Sequence, residues 1–463
     1  MIVSEQGRRA LNDGAFIVID MGKSLSKVSL WDRAGRRLDV RARPNAVGGG
    51  RLDVVGIAAW LVEALGAWSA HPVEAIVPVG HGAGAAALRD GALAFAPLDY
   101  EAAIPADVME RYRAARDPFG VTGSPALPHG LNLGAQVWWL AEQAALERTT
   151  LLPWAQYWAW YLSGVAVSEV SSLGCHTDLW VPAAATYSPL ATRMGWAERF
   201  APLAHARDVI DTLRPDIAAA TGLSAQVKVL AGIHDSNAAL HGARGFGDVA
   251  DHEATVLSTG TWFVAMRRAK SAAPVLPEGR DCLVNVDVDA RAVPSARFMG
   301  GREIEMASGG QPVDNPAEQA ALLAAAAASL ASGAMLLPTL APGCGPFPDC
   351  TARWIGEPQD RRAAACLYAA LIADAALDLI GARETLLVEG RFASAEVFVR
   401  ALAALRPDSR VLVADGPADA AYGALRLIEP GLAPAARLRQ VEPLAGDVHT
   451  YRARWQTALE TTP

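Results

Sequence analysis

Two stretches of this chain follow one plan, and their repetition limits the folds open to it more than any other feature. Residues 16–19 are a continuous apolar run ending in Asp20; Met21, Gly22, Lys23 and Ser24 follow, then the alternating run 27–31. That order reads as strand, glycine turn, strand. Roughly 240 residues further on the layout returns: 254–257 is a strand, Ser258, Thr259, Gly260 and Thr261 make a hydroxyl-rich tip, and 262–266 runs back. Such tips offer backbone N–H groups to phosphate, and an aspartate at one of them can hold a magnesium-bound water. Two halves of this kind predict a cleft in which phosphates are gripped from both sides.

The remaining properties fit that plan. At 463 residues the chain is long enough for two or more domains, each with its own core. A composition of 52% hydrophobic and 19% charged residues is that of an ordinary globular protein. A formal net charge of -8, with no basic stripe, argues against a nucleic-acid partner. A small anionic ligand stays compatible with it, because glycine turns and helix starts hold phosphate whatever the net charge. Five scattered cysteines without Cys-x-x-Cys spacing suit a reducing compartment. Residues 4–9 are polar and charged with no apolar run behind them, so a cytoplasmic location is expected. Two apolar stretches read as buried helices and not as membrane spans: 151–167 is broken by Pro153 and Gln156, and 320–337 is too weakly apolar for lipid.

Residues 228–240 carry the candidate chemistry. Val229 and Leu230 supply a short strand, Gly232 and Ile233 a bend, and Asp235, Ser236 and Asn237 suit a helix start continued by 238–243. A carboxylate there faces open space, which makes Asp235 the candidate base; a plain N-cap aspartate is the bland alternative. Elsewhere, 52–68 has helical spacing and 74–79 reads as a strand. Residues 80–85 match the Gly-x-Gly-x-x-Ala dinucleotide fingerprint, but Arg89, Asp90 and Gly91 signal a turn where a long helix is required, so a hairpin through Ala94 and Phe95 is expected. His81, flanked by glycines at a strand end, is expected to be exposed and is a ligand candidate. Gly22, Lys23 and Ser24 fail the P-loop spacing, since the leading glycine position is Ile17. Helices are expected over 130–145 and 154–164, a polar loop with Ser171, Ser172, His176, Thr177 and Asp178 over 168–180, and short helices over 188–220. Further on, 298–303 reads as a glycine-marked turn and 317–332, 363–380, 395–405 and 419–427 as helices. Residues 335–337, 385–388 and 410–414 read as strands.

Asp20 with Gly22, the tip 258–261, the strand-turn-helix 390–405 and the run Gly232, Ile233, His234, Asp235 together resemble the phosphate, adenosine and catalytic-base motifs of the FGGY carbohydrate kinases. These kinases are members of the actin and hexokinase superfamily, and the resemblance runs from about 16 to 427. The general look is nearest to the L-rhamnulose and L-fuculose kinase branch. It implies an α/β fold of two ribonuclease H-like domains with a cleft between them: 1–245 for sugar and catalytic base, 246–440 for nucleotide, and 441–463 as a tail. It also implies ATP and Mg2+, a small sugar as substrate, and room for a homodimer.

By residue, the resemblance implies that Asp235 takes the proton of a sugar hydroxyl and that Asp20 holds magnesium. His81, Gly82, His176 and His234 would contact the sugar. Gly22, Lys23, Ser24, Thr259, Gly260, Thr261 and Gly301 would lie on the phosphates, and Gly390, Arg391, Phe392 and Ser394 around the adenosine. The chain departs from the family pattern at Lys23, often threonine or another small residue, and at Glu389, usually glycine. Over 340–346 it lacks the usual Gly-Glu-Arg. Two alternatives stay open at this stage: a sugar sensor that has lost catalysis on the same fold, and a NAD-dependent dehydrogenase built on 80–85.

Overall fold

The computed structural model describes residues 14–270, 274–416 and 419–461; the polar stretch 4–9 lies outside them. The chain divides into two compact units. The first comprises Met1–Gly242, Val284–Ala292 and Asp419–Ala435, the second Ala243–Leu283, Val293–Ala418 and Ala436–Pro463.

The principal sheet of the first unit is built from β1 (Ala15–Met21), β2 (Leu25–Asp32), β3 (Arg37–Pro44), β4 (Val73–Gly80), β5 (Val209–Thr212) and β6 (Lys228–Leu230). Read from one edge, the order is β3-β2-β1-β4-β6-β5, and the short strand Ile233–His234 also pairs with β4. β1 pairs antiparallel with β2 and parallel with β4, β6 is parallel to β4, and β5 is antiparallel to β6. The apolar run of β1 is continuous because both of its faces are covered. Ile17 and Ile19 pack with Ile57, Leu61, Trp154 and Trp158 on one side, and Phe16 and Val18 pack with Tyr422, Ala424 and Leu425 on the other. The first layer contains the helix Val54–Gly66, opened by the Asp53 carboxylate on the Gly56 N–H, and the helix Trp154–Ser163, closed by Gly164 at φ 82°.

The second unit repeats the plan with β7 (Ala254–Thr259), β8 (Phe263–Arg268), β9 (Ala292–Phe298), β10 (Thr385–Gly390), β11 (Arg410–Ala414) and β12 (Leu438–Gln440). Its sheet contains the run β9-β8-β7-β10-β11-β12. β7 is antiparallel to β8 and parallel to β10, β11 is parallel to β10, and β12 is antiparallel to β11. Strand for strand, directions match those of the first sheet. The difference is sequential: β5 precedes its neighbour β6 along the chain, whereas β12 follows β11. The final helix, Val448–Glu460, is anchored in this unit by the Tyr451 hydroxyl on the Ala334 carbonyl and the Trp455 indole N–H on Leu336.

Three expectations need correction. Residues 188–220 are not all short helices, because β5 and the strand Leu203–Ala204 lie among them. β5 is an exposed edge strand and carries little apolar alternation to reveal it. The glycine-marked turn at 298–303 is the end of β9 followed by the helix Gly300–Ala307. Glycines start this helix because of close packing: a Cβ on Gly300 would come within 2.6 Å of the Phe263 ring, and one on Gly301 within 2.0 Å of the Gly260 carbonyl oxygen. Finally, the 168–180 stretch is largely buried and contains the strand Ser168–Glu169 and a one-turn helix, Val170–Leu173. The Glu169 carboxylate caps that turn through the Ser171 and Ser172 N–H groups.

Candidate active site

Three neighbouring strand ends place the candidate residues of the first unit. In register, Met21 lies opposite Gly80, and His234 lies opposite Gly80 on the other side of β4. Asp20, His81 and Asp235 therefore leave the same carboxyl edge of the sheet, where open α/β folds bind their ligands. Gly232 makes the bend before Asp235: its φ is 85°, and a Cβ there would sit 2.4 Å from the Pro78 carbonyl oxygen. Asp235 opens the helix Asp235–Ala243. That helix is packed tightly against Ala420–Ile428, since a Cβ on Gly423 would meet the Ala238 carbonyl at 1.7 Å, and the Arg426 guanidinium donates to the His241 carbonyl at 2.6 Å.

Asp235 is half-buried. Its Oδ1 accepts from the Ser236 N–H at 2.5 Å and the Ser236 hydroxyl at 3.2 Å, and His234 Nε2 lies 3.2 Å from the same oxygen. Burial holds His234 below its usual pKa, against the opposing pull of Asp235. His81 is buried at 8% exposure, contrary to expectation, because the rings of Tyr100 and Trp154 lie at centroid distances of 5.4 and 5.7 Å. Its Nδ1 is 2.7 Å from the Gly82 carbonyl oxygen, which places the proton there, and its buried Nε2 has no hydrogen-bond partner among the described residues. Burial also lowers the His81 pKa, so that nitrogen is an acceptor awaiting a donor. Ala83 beside it sits at φ 53°, its carbonyl held by the Gln136 amide at 2.7 Å.

Gly82 is the point on which these groups converge. A Cβ there would meet His234 Nε2 at 2.9 Å, Cys175 Sγ at 3.1 Å and His176 Nε2 at 3.3 Å. His176 Nδ1 faces the Leu131 carbonyl at 2.6 Å. Burial pushes the Cys175 thiol up to about 12, so it stays protonated.

Asp20 pairs with Lys27 at 3.6 Å. Burial raises its pKa to about 6; Lys27 opposes the rise, and the charges of Asp235 and Asp419 add to it. A cation at this carboxylate would relieve that cost, and Mg2+ is commonly held by one carboxylate together with substrate phosphates. No group of three His, Cys, Asp or Glu side chains that could hold a metal ion exists among the described residues. Lys23 points elsewhere than expected for a free cation: its ammonium lies 3.2 Å from Asp99 and 2.5 Å from Glu101, over the Tyr100 ring.

In the second unit, backbone dominates. The Thr259 hydroxyl donates to the Glu389 carbonyl and accepts from the Phe392 N–H at 3.1 Å, tying the hairpin to the turn after β10. Gly390, at φ 87°, would drive a Cβ to 2.3 Å from the Thr259 carbonyl oxygen. With Gly301 pressed on Gly260, three glycines far apart in sequence thus converge on one tip, whose Gly260 and Thr261 are exposed. Arg391 is held by Asp314 and Glu305, each at 3.0 Å, and the Ser394 hydroxyl donates to the Arg391 carbonyl.

Sequence reasoning passed over Tyr100 and Asp99, which lie in a loop without a motif, and treated Ser236 and Asn237 only as helix-start residues. The dinucleotide reading of 80–85 fails, because the strand Ala85–Arg89 follows where a helix is required. All five cysteines are free, and no helix among the described residues is long and apolar enough to cross a membrane.

Comparison with known proteins gives a consistent result. Residues 251–436 match the family described as carbohydrate kinase FGGY, C-terminal domain. A carbohydrate kinase from Novosphingobium aromaticivorans is 58% identical, with a TM-score of 0.92 over 98% of this chain and 100% of that one. Two more distant structures share the fold. A ligand-bound xylulose kinase from Lactobacillus acidophilus is 14% identical, with a TM-score of 0.81 over 96% of this chain and 97% of that one. Plasmodium falciparum glycerol kinase with ADP is 10% identical, with a TM-score of 0.77 over 97% and 98%. No protein of curated function matches the sequence. With its duplicated actin/hexokinase-type sheets, its C-terminal family match and a relative of this identity along the whole length, the chain belongs to the FGGY carbohydrate kinases.

Proposed function

We propose that this kinase transfers the γ-phosphoryl group of ATP to a hydroxyl of a small neutral sugar, a ketose or related polyol, with Asp235 as general base. The observation that carries this reading is the meeting of Asp235, His81, His234 and His176 around Gly82 at one sheet edge. Two of these histidines are held neutral by burial, and Lys23 is neutralised by Asp99 and Glu101, so the surroundings suit hydroxyl groups and not a carboxylate. His81 Nε2 is a buried acceptor suited to one sugar hydroxyl.

In the proposed step the Asp235 carboxylate accepts the proton of the reacting hydroxyl as its oxygen bonds to the γ-phosphorus. The bond to the β,γ-bridging oxygen breaks, and ADP leaves. Such a reaction asks mainly for positioning and charge neutralisation. Mg2+, which Asp20 would hold, neutralises phosphate charge when bound. The N–H groups around Gly22, Ser24, Gly260 and Thr261 are assigned to phosphate, and Gly301, Gly390, Arg391, Phe392 and Ser394 to the nucleotide. Thr259 is assigned to holding the hairpin against the adenosine turn, and Lys23 to shaping the loop that carries Tyr100. On this reading residues 1–245 handle sugar and base and 246–440 the nucleotide.

The test is sugar-dependent ADP release over a panel of ketoses, polyols and aldonates, with and without EDTA. The reading expects turnover with at least one neutral sugar, none with aldonates, and loss with EDTA. Silence across the panel with intact ATP binding would instead favour a non-catalytic sugar sensor.

A further inference from the structure

We infer that Gln136 is a positioning residue for the sugar: its one side-chain amide holds the two loops that aim His81, and so sets the affinity of the site for its hydroxyl substrate. The inference rests on the reading of this sheet edge as the sugar site and adds to it a residue that acts through others.

Gln136 is buried in the first turn of the helix Leu133–Glu142. Its Nε2 donates to the Ala83 carbonyl at 2.7 Å and to the Gly130 carbonyl at 2.7 Å. Both partners only accept, so the amide has one orientation; turned over, it would set Oε1 against two carbonyl oxygens. The helix that carries Gln136 is itself fixed to the segment of His176. Asn132, at its N-cap, accepts from the Leu127 N–H at 2.8 Å through Oδ1 and donates through Nδ2 to the His176 carbonyl at 3.0 Å. The Gly134 N–H donates to the Thr177 carbonyl at 2.8 Å.

From Gln136 two routes lead to His81. The first runs through Ala83, whose φ of 53° is uncommon for a residue with a Cβ and persists only where its surroundings hold it. The preceding peptide carries the Gly82 carbonyl, which takes the His81 Nδ1 proton at 2.7 Å, so a rotation at Ala83 swings the acceptor that orients the ring. The second runs through Gly130, whose N–H donates to the Tyr100 carbonyl at 2.9 Å; the Tyr100 ring packs edge-on against His81 at a centroid distance of 5.4 Å. Without the amide the Ala83 peptide is free to relax, and the imidazole loses its orienting acceptor and its packing neighbour together. His81 Nε2, the buried acceptor, is then no longer kept in one place.

The experiment is steady-state kinetics with a sugar that the wild-type protein turns over. Gln136→Met keeps the length of the side chain and removes both donors. It should raise the sugar KM by about tenfold, with the ATP KM within about twofold and kcat at saturating sugar within about threefold, because Asp235 is untouched. Glycine adopts the Ala83 conformation without strain. In the Ala83→Gly background the same substitution should therefore raise the sugar KM by about threefold or less, a relief that general loss of packing would not produce. If Gln136→Met does not fold, Gln136→Glu carries the test: its carboxyl donates to a carbonyl only when protonated, so the ratio of its sugar KM to that of wild type should climb between about pH 6 and 9 while the ATP KM ratio stays level. An unchanged sugar KM in Gln136→Met, an equal rise in both backgrounds, or a flat ratio in Gln136→Glu overturns the inference. If His81→Ala leaves the sugar KM unchanged, the reading of this edge as the sugar site has failed; if His81→Ala raises it and Gln136→Met does not, only the present inference has.

Discussion

The hairpin at Asp20–Ser24 and the hairpin at Ser258–Thr261 occupy equivalent places in sheets whose strand directions match, yet they are furnished in opposite ways. Around the first lie charged and titratable side chains: Asp20 with Lys27, Lys23 with Asp99 and Glu101, and the histidines around Gly82. At the second, the tip is backbone and hydroxyl, and its shape is set by Gly301 and Gly390 approaching carbonyl oxygens at distances no side chain tolerates. The difference teaches what each unit is suited to do. Proton transfer needs a carboxylate in a defined electrostatic setting, while phosphate binding needs N–H groups on a rigid turn. On the proposed reading, the two copies of one sheet plan divide the work, with side chains serving the first and backbone the second.

That contrast breaks most sharply at Asp235. Asp235→Asn keeps the shape and two of the acceptor contacts but cannot take a proton, and kcat should fall by about 10²–10⁴-fold while ATP affinity by calorimetry stays near wild type. Appreciable remaining turnover would mean that the base lies elsewhere.

A smaller effect concerns the stability of the decorated unit. Burial raises the Glu169 pKa from 4.5 to about 7, with the Ser171 and Ser172 donors opposing it. Between those values the folded chain keeps a proton that the unfolded chain has released. The contribution of Glu169 to stability should therefore be greatest below pH 4.5, fall as pH rises to about 7, and be level above that. The difference is on the order of 3 kcal/mol. Thermal melts of Glu169→Gln across this range should lose that slope; an unchanged slope would assign it to other groups.

Much of this was legible in the sequence, for reasons visible at particular residues. The run 16–19 has no polar interruption because β1 is covered on both faces, and continuous burial is the loudest signal a strand can give. Gly232 and Asp235 were legible because a bend of φ 85° and a helix start each impose a residue type. What stayed hidden depended on contacts between distant segments. The burial of His81 comes from Tyr100 and Trp154, and the helical start at Gly300 from Phe263 and Gly260, none of which spacing reveals. The exposed strand β5 was hidden for the opposite reason, since few of its contacts demand apolar residues.

The division of labour between the two units is tested most directly by crossing two glycine substitutions with two substrates. Gly82→Ala inserts a methyl group against His234, Cys175 and His176, and Gly390→Ala inserts one against the Thr259 carbonyl at positive φ. The account predicts that steady-state kinetics will show Gly82→Ala raising the sugar KM by about tenfold or more at unchanged ATP KM, and Gly390→Ala doing the reverse. Both substitutions raising both constants alike, or the effects appearing on the wrong substrates, would contradict it.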